Sequence, residues 1–174
     1  GRSARGGLYQ LTENGSDVAL LVNCPGRIAE NATVPLSDFT DVLPTICELT
    51  EVAPPEGVVI DGRSHAAMLR GDVGAVPARS WIFNQYNTRR TVRDQRYKLY
   101  STGEMFDVEV DRDEQLNLTD LGENQGSEVV AARHRLERVL ASLPPNTPPA
   151  IELRSLSAFK LPETERPRPA KDGR

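Results

Sequence analysis

Residue types able to do chemistry are few and scattered in this 174-residue chain. His65 and His134 lie far apart, and neither has a second ligand at metal spacing. Cys24 and Cys47 form neither a zinc pattern nor a disulfide framework, so both are expected as free thiols. No nucleophile elbow, phosphate loop or HExxH helix occurs. Motifs alone therefore name no catalytic residue and no metal ligand. Three cations, Arg93, Arg96 and Lys98, crowd the short stretch "TVRDQRYKLY". The chemistry open to such a cluster is recognition of an anion.

An antiparallel hairpin would position that cluster. From Trp81 the apolar period becomes two, and "SWIFNQY", "RRTVR", "RYKLY" and "MFDVEV" read as four antiparallel strands. A two-residue turn at Asp94 and Gln95 sets Val92 opposite Tyr97 and Arg90 opposite Leu99. Val92, Tyr97 and Leu99 then share one face, and Arg93, Arg96 and Lys98 share the other with Thr91. A polar outer face on an amphipathic hairpin is a sufficient reading, and an anion-binding patch is the alternative.

Before the hairpin, Val18 to Val22 ("VALLV") reads as a strand buried on both faces, as in a parallel α/β sheet. Its sheet partners lie elsewhere in this chain or in sequence outside it. "SDFTDVLPTICELTEV" predicts a helix over Val42 to Glu51, with Asp41 as N-cap and Pro44 in the first turn. Leu43, Ile46, Cys47 and Val52 share its apolar face. A short helix is expected over Ser64 to Leu69. A second long helix is expected over Ser127 to Leu143, where Val129, Ala132, Leu136, Val139, Leu140 and Leu143 recur at helical spacing. His134 falls on its wet side. Pro144 and Pro145 stop it, and a charged, proline-rich tail follows.

Composition narrows the partners. Hydrophobic residues make up 38% and charged residues 26%, with 13 Pro and 13 Gly, which predicts a modest core with much loop. A net charge of −4 argues against nucleic acid and against a polybasic membrane anchor. No apolar run is long enough to cross a bilayer. "GRSARGGLYQ" has no apolar stretch behind its basic residues, so no signal peptide is expected there.

Taken in order, five segments resemble the C-terminal portion of a sulfatase, in the alkaline-phosphatase-like superfamily. "VALLVNCPGRI" resembles the family strand and its Cys-Pro-Gly turn. Asp41, Leu43, Pro44, Thr45 and Leu49 match D-x-L-P-T-x-x-x-L, and "DGRSHAAMLRG" resembles the D-G-x-S…L-x-G loop. "TVRDQRYKLY" resembles the V-R-D-x-x-Y-K-L hairpin. Asp107, Asp111, Glu114, Asn117 and Leu118 match the segment after it, with Arg112 in place of the usual Pro.

The resemblance implies an α+β fold: residues 1–75 as the edge of an α/β catalytic domain, and 76–143 as a small four-stranded antiparallel sheet packed by a C-terminal helix. Residues 144–174 form a proline-rich tail. It also implies, for a full-length member, sulfate-ester hydrolysis with calcium and formylglycine, a sulfated small molecule or glycan as partner, and periplasmic or secreted location. This chain carries no cofactor group of its own: neither Cys24 nor Cys47 fits C-x-P-x-R. The segment alone is expected to be inactive, to help shape a substrate entrance, and to need a missing N-terminal domain to cover its apolar strand. Gln10 and Glu13 fall in "LYQLTENGSD", which matches the family's Lys…E-x-G-x-R stretch. Leu8 and Gln10 stand where its lysine would be, and Asp17 where its arginine would be. Gln10, Glu13, Arg93, Arg96 and Lys98 are the candidate substrate contacts. Two other readings stay open: a non-catalytic relic or binding module, and a phosphodiesterase or phosphonate hydrolase of the same superfamily.

Overall fold

A computed structural model describes Gly7 and residues 10–145. Leu8 and most of the tail lie outside the described residues. The fold is α+β. Four strands, β1 (Ile82–Tyr86), β2 (Arg89–Arg93), β3 (Tyr97–Tyr100) and β4 (Met105–Asp107), form an antiparallel meander in the order β1-β2-β3-β4. Helix α1 (Glu13–Ser16) is a single turn, α2 spans Val42–Thr50, α3 spans Ala66–Arg70 and α4 spans Ser127–Ser142.

One sheet face packs on α4. Val92, Tyr97, Leu99 and Met105 meet Leu118, Ala132 and Leu136 in the main core. Alternation along the strands and the 3.6-residue period of α4 bring these residues together. Fully burying each large apolar side chain contributes about 1.5–3 kcal/mol. The opposite face is also covered, by the segment around α1 and the loop after β4. Tyr100, Phe106 and Val108 form a smaller cluster there with Leu11.

The hairpin register differs from the sequence expectation. Val92 pairs with Leu99 and Arg93 with Lys98, so the turn centres on Gln95 and Arg96. The Asp94 carboxylate is the cause: Oδ1 accepts from Arg96 N at 3.0 Å and Tyr97 N at 2.7 Å, closing the turn one residue later. Sliding the turn by one residue moves the pairing by two, so the side chains keep their faces.

Three further expectations change. Asp41 does not cap α2 through its side chain; Asp38 caps the preceding 3₁₀ turn at Phe39–Asp41, in a reciprocal capping box with Asp41. Val18 to Val22 forms no strand, because no described strand lies alongside to pair with its backbone. It does lack a surrounding sheet, as expected: Leu21 is 93% exposed. The predicted apolar face of α2 is also largely bare, with Leu43 and Ile46 both exposed beside Phe39. Among the described residues, no helix is long and apolar enough to cross a membrane.

Candidate functional site

Strand pairing sets two cations side by side, because Arg93 and Lys98 are directly opposite on one face. Like charges so placed repel. Glu13, at the start of α1, resolves the conflict: Oε2 pairs with Arg93 Nη1 and Oε1 lies 3.1 Å from Lys98 Nζ. Glu114, from the loop after β4, completes the group. Its Oε1 accepts from Lys98 Nζ at 2.9 Å and from the Glu13 amide at 2.8 Å. Its Oε2 accepts from Tyr100 Oη at 2.5 Å. Burial, with that bond to Glu114, pushes the Tyr100 phenol well above its usual range. Two cations and two carboxylates thus form a neutral buried quartet.

The solvated-face reading fails for Lys98, which is 0% exposed. Its third hydrogen bond goes to the Leu11 carbonyl, so every ammonium proton has an acceptor. Arg93 is similarly engaged, giving Nε to Asp94 O at 2.9 Å and Nη2 to Gln95 O at 3.0 Å. Strand alternation therefore puts Arg93 and Lys98 on one face but does not reveal their cover. Gly15 explains how the cover comes so close, since a Cβ there would lie 2.3 Å from the Gln10 carbonyl oxygen.

Of the five candidate contacts, Glu13, Arg93 and Lys98 meet in the quartet. Arg96 sits in the turn and points away from it, pairing with Asp107 at 2.9 Å and Glu128 at 2.9 Å. The Asp107 carboxylate holds its guanidinium above the usual range. Gln10 is exposed at the mouth of a neighbouring cleft. Sequence reasoning matched Glu114 to a motif without placing it in the site; its role depends on contacts with Glu13 that cross 101 positions.

A second buried polar group, ahead of the sheet, joins the start of α2 to the segments around Arg63 and Arg79. The Asp41 carboxylate, 1% exposed, accepts from Asp38 N at 2.8 Å and Arg63 N at 2.7 Å, and also pairs with Arg79. His65 Nε2 lies 3.1 Å from it. Burial raises the Asp41 pKa, but the Arg79, Arg63 and Asp38 hydrogen bonds together hold it below the usual 3.8. Thr45 Oγ1 donates to Asp41 O at 2.6 Å and accepts from His65 N at 3.0 Å. Gly62 is required where the loop crosses, because a Cβ would lie 1.9 Å from the Thr40 carbonyl oxygen.

Neither group suits calcium. Among the described residues, no three His, Cys, Asp or Glu side chains are placed to hold a metal ion. The buried carboxylates already face cations of the protein. Cys24 and Cys47 are free thiols, and neither sits in a formylglycine motif.

No family model and no curated protein matches the chain. Solved structures do. A 2-O GAG sulfatase is similar at 27% identity and a TM-score of 0.45, over 57% of this chain and 23% of that one. A protein from glycosaminoglycan metabolism in Bacteroides thetaiotaomicron is similar at 15% identity and a TM-score of 0.43, over 59% of this chain and 24% of that one. A protein in complex with its substrate D-glucosamine-2-N,6-O-disulfate is similar at 21% identity and a TM-score of 0.41, over 61% of this chain and 25% of that one. This chain spans about a quarter of the length of each.

Proposed function

We propose that this chain is the C-terminal part of a sulfatase, a sulfuric ester hydrolase, and that it does not hydrolyse sulfate esters by itself. Residues 1–75 then belong to the edge of the catalytic domain, 76–143 form the sheet subdomain beside the substrate entrance, and 144–174 are the tail. The carrying observation is Val18 to Val22. Its apolar side chains are exposed on both sides, with Val18 and Leu21 at 74% and 93%, and no described strand pairs with its backbone. A segment with both needs is satisfied by insertion into a sheet covered on both faces. Phe39, Leu43 and Ile46 are also exposed apolar side chains of the same half of the chain. The quartet supports a scaffold role for Glu13, Arg93 and Lys98, because their charges cancel locally. Direct contact of Gln10 or Arg96 with a sulfated substrate belongs to the proposal.

The test joins residues 10–145 to the N-terminal part of a 2-O GAG sulfatase, in place of that protein's own C-terminal part. Amides of residues 18–22 should exchange rapidly in the isolated chain and become protected in the chimera. Calcium-dependent turnover of an aryl sulfate by the isolated chain, or unprotected amides in a folded chimera, contradicts the proposal.

One observation favours a diverged, non-catalytic relic as the second reading. Two of the departures from the family pattern pair with each other: Arg112, at the usual proline, bonds the carboxylate of Asp17, at the usual arginine. An acidic residue turned toward a loop arginine is not a sulfate ligand.

A further inference from the structure

A cleft of about 360 Å³ opens beside the quartet, between the β1–β2 hairpin and the segment leading into α1. Gln10, Tyr86, Arg89, Tyr100, Glu104 and Asp113 line it. Its volume is at the small end of ligand pockets, which run from about 300 to 1,000 Å³. We propose that this cleft binds a neutral sugar ring.

Charge decides against the other ligand classes. Arg89, Glu104 and Asp113 all line the cleft, while Glu114, also in its lining, is already paired with Lys98. A small anion would meet two carboxylates, and a cation would meet the guanidinium. A neutral polyol can accept from Arg89 and donate to the acids, leaving no charge unpaired. The polar groups are held in place before any ligand arrives. Arg89 lies over the Tyr100 ring, 5.5 Å from its centroid. Asp113 Oδ1 accepts from Asn14 Nδ2 at 3.2 Å, Gln10 Oε1 accepts from Thr12 Oγ1 at 3.4 Å, and Glu104 accepts from Thr102 Oγ1. Fixed partners lower the ordering cost of binding. Tyr86, 42% exposed, adds an aromatic surface against which the C–H face of a sugar ring can pack.

The inference goes beyond the sulfatase reading, because it concerns binding by this chain and requires no turnover. The test is saturation-transfer NMR of the 174-residue chain with methyl β-glucoside, N-acetylglucosamine and N-acetylglucosamine 6-sulfate. Transfer to at least one neutral sugar is expected. Tyr86→Ala and Arg89→Ala should each weaken it about tenfold, equivalent to about 1.4 kcal/mol. Arg135→Ala, on the helix across the sheet, should leave it unchanged. Circular dichroism verifies folding, and both altered cleft residues are exposed. The proposal is overturned if neither neutral sugar receives transfer, or if both cleft variants bind like the parent. It is also overturned if the sulfated sugar binds at least about tenfold more tightly in a salt-sensitive way, which identifies an anion site. None of these outcomes bears on amide protection in the chimera, so the two readings fail separately.

Discussion

Replacing Lys98 with methionine keeps most of the side-chain volume and removes one buried charge. Lys98 is 0% exposed, and its ammonium is 3.1 Å from Glu13 and 2.9 Å from Glu114. Without it, two carboxylates share the single charge of Arg93, and a net negative charge stays out of water. Removing one member of a buried pair costs about 3–5 kcal/mol. Arg93 still pairs with Glu13 and Tyr100 still donates to Glu114, so the low end, about 3 kcal/mol, is expected. With a urea dependence of about 1–3 kcal/mol per molar, the midpoint should fall by about 1–3 M. Adding Glu114→Gln restores neutrality, although its single amide oxygen can accept from Tyr100 or from the Glu13 amide and not from both. The double variant should regain at least about 1 kcal/mol, an interaction energy within the range for residues in contact. Equilibrium urea unfolding followed by circular dichroism measures both values. A loss below about 0.5 kcal/mol for Lys98→Met, as for an exposed ion pair, would refute the buried-quartet argument.

Two other perturbations probe the polar group around Asp41. Gly62→Ala forces a Cβ to 1.9 Å from the Thr40 carbonyl oxygen, a backbone atom that cannot swing aside. It should cost at least about 3 kcal/mol in thermal unfolding, whereas Gly126→Ala, with open space around it, should change stability by less than about 1 kcal/mol. Asp41 has a folded pKa below its usual 3.8, so its contribution is present above that value and is lost as pH falls through the folded value. Asp41→Asn should therefore lower the urea midpoint near neutrality and flatten its acid-side decline. Unfolding series from about pH 7 to about pH 3 measure this; an acid slope equal to the parent's would contradict it.

Periodicity made much of the fold legible. Alternation assigned Val92, Tyr97 and Leu99 to the core face, and helical spacing placed Ala132 and Leu136 against them. Local chemistry shifted details: Asp94 closes the hairpin through two backbone amides, and Asp41 holds the N-cap position read for it while its carboxylate serves Arg63 and Arg79 instead of a cap. The candidate site was harder to read because a strand pattern states which side a residue occupies, not what lies over that side. Lys98 looks like a solvated lysine until Glu13, 85 positions away, and Leu11 are folded onto it. The Val18–Val22 run is a different case. Its composition asks for a sheet, but composition cannot supply the neighbouring strands, and the described chain offers none.

The matched motif positions share a physical logic. Asp41 and Thr45 build the polar knot that Gly62 allows to close. Asp94 closes the hairpin, Asp107 holds Arg96, and Glu114 neutralises Lys98. Asp111 accepts from the Gln115 and Leu116 amides, while Asn117 Oδ1 takes the amides of Met105 and Thr119. Each of these polar motif residues thus satisfies a backbone group or a charge of this same chain, the kind of work that fixes a fold. Where the pattern breaks, at Asp17 and Arg112, the substituted side chains satisfy one another at the surface. These polar groups are committed chiefly to one another within the chain. Their commitment to one another is the physical reason to assign the motifs to architecture and to look for recognition in the cleft beside them.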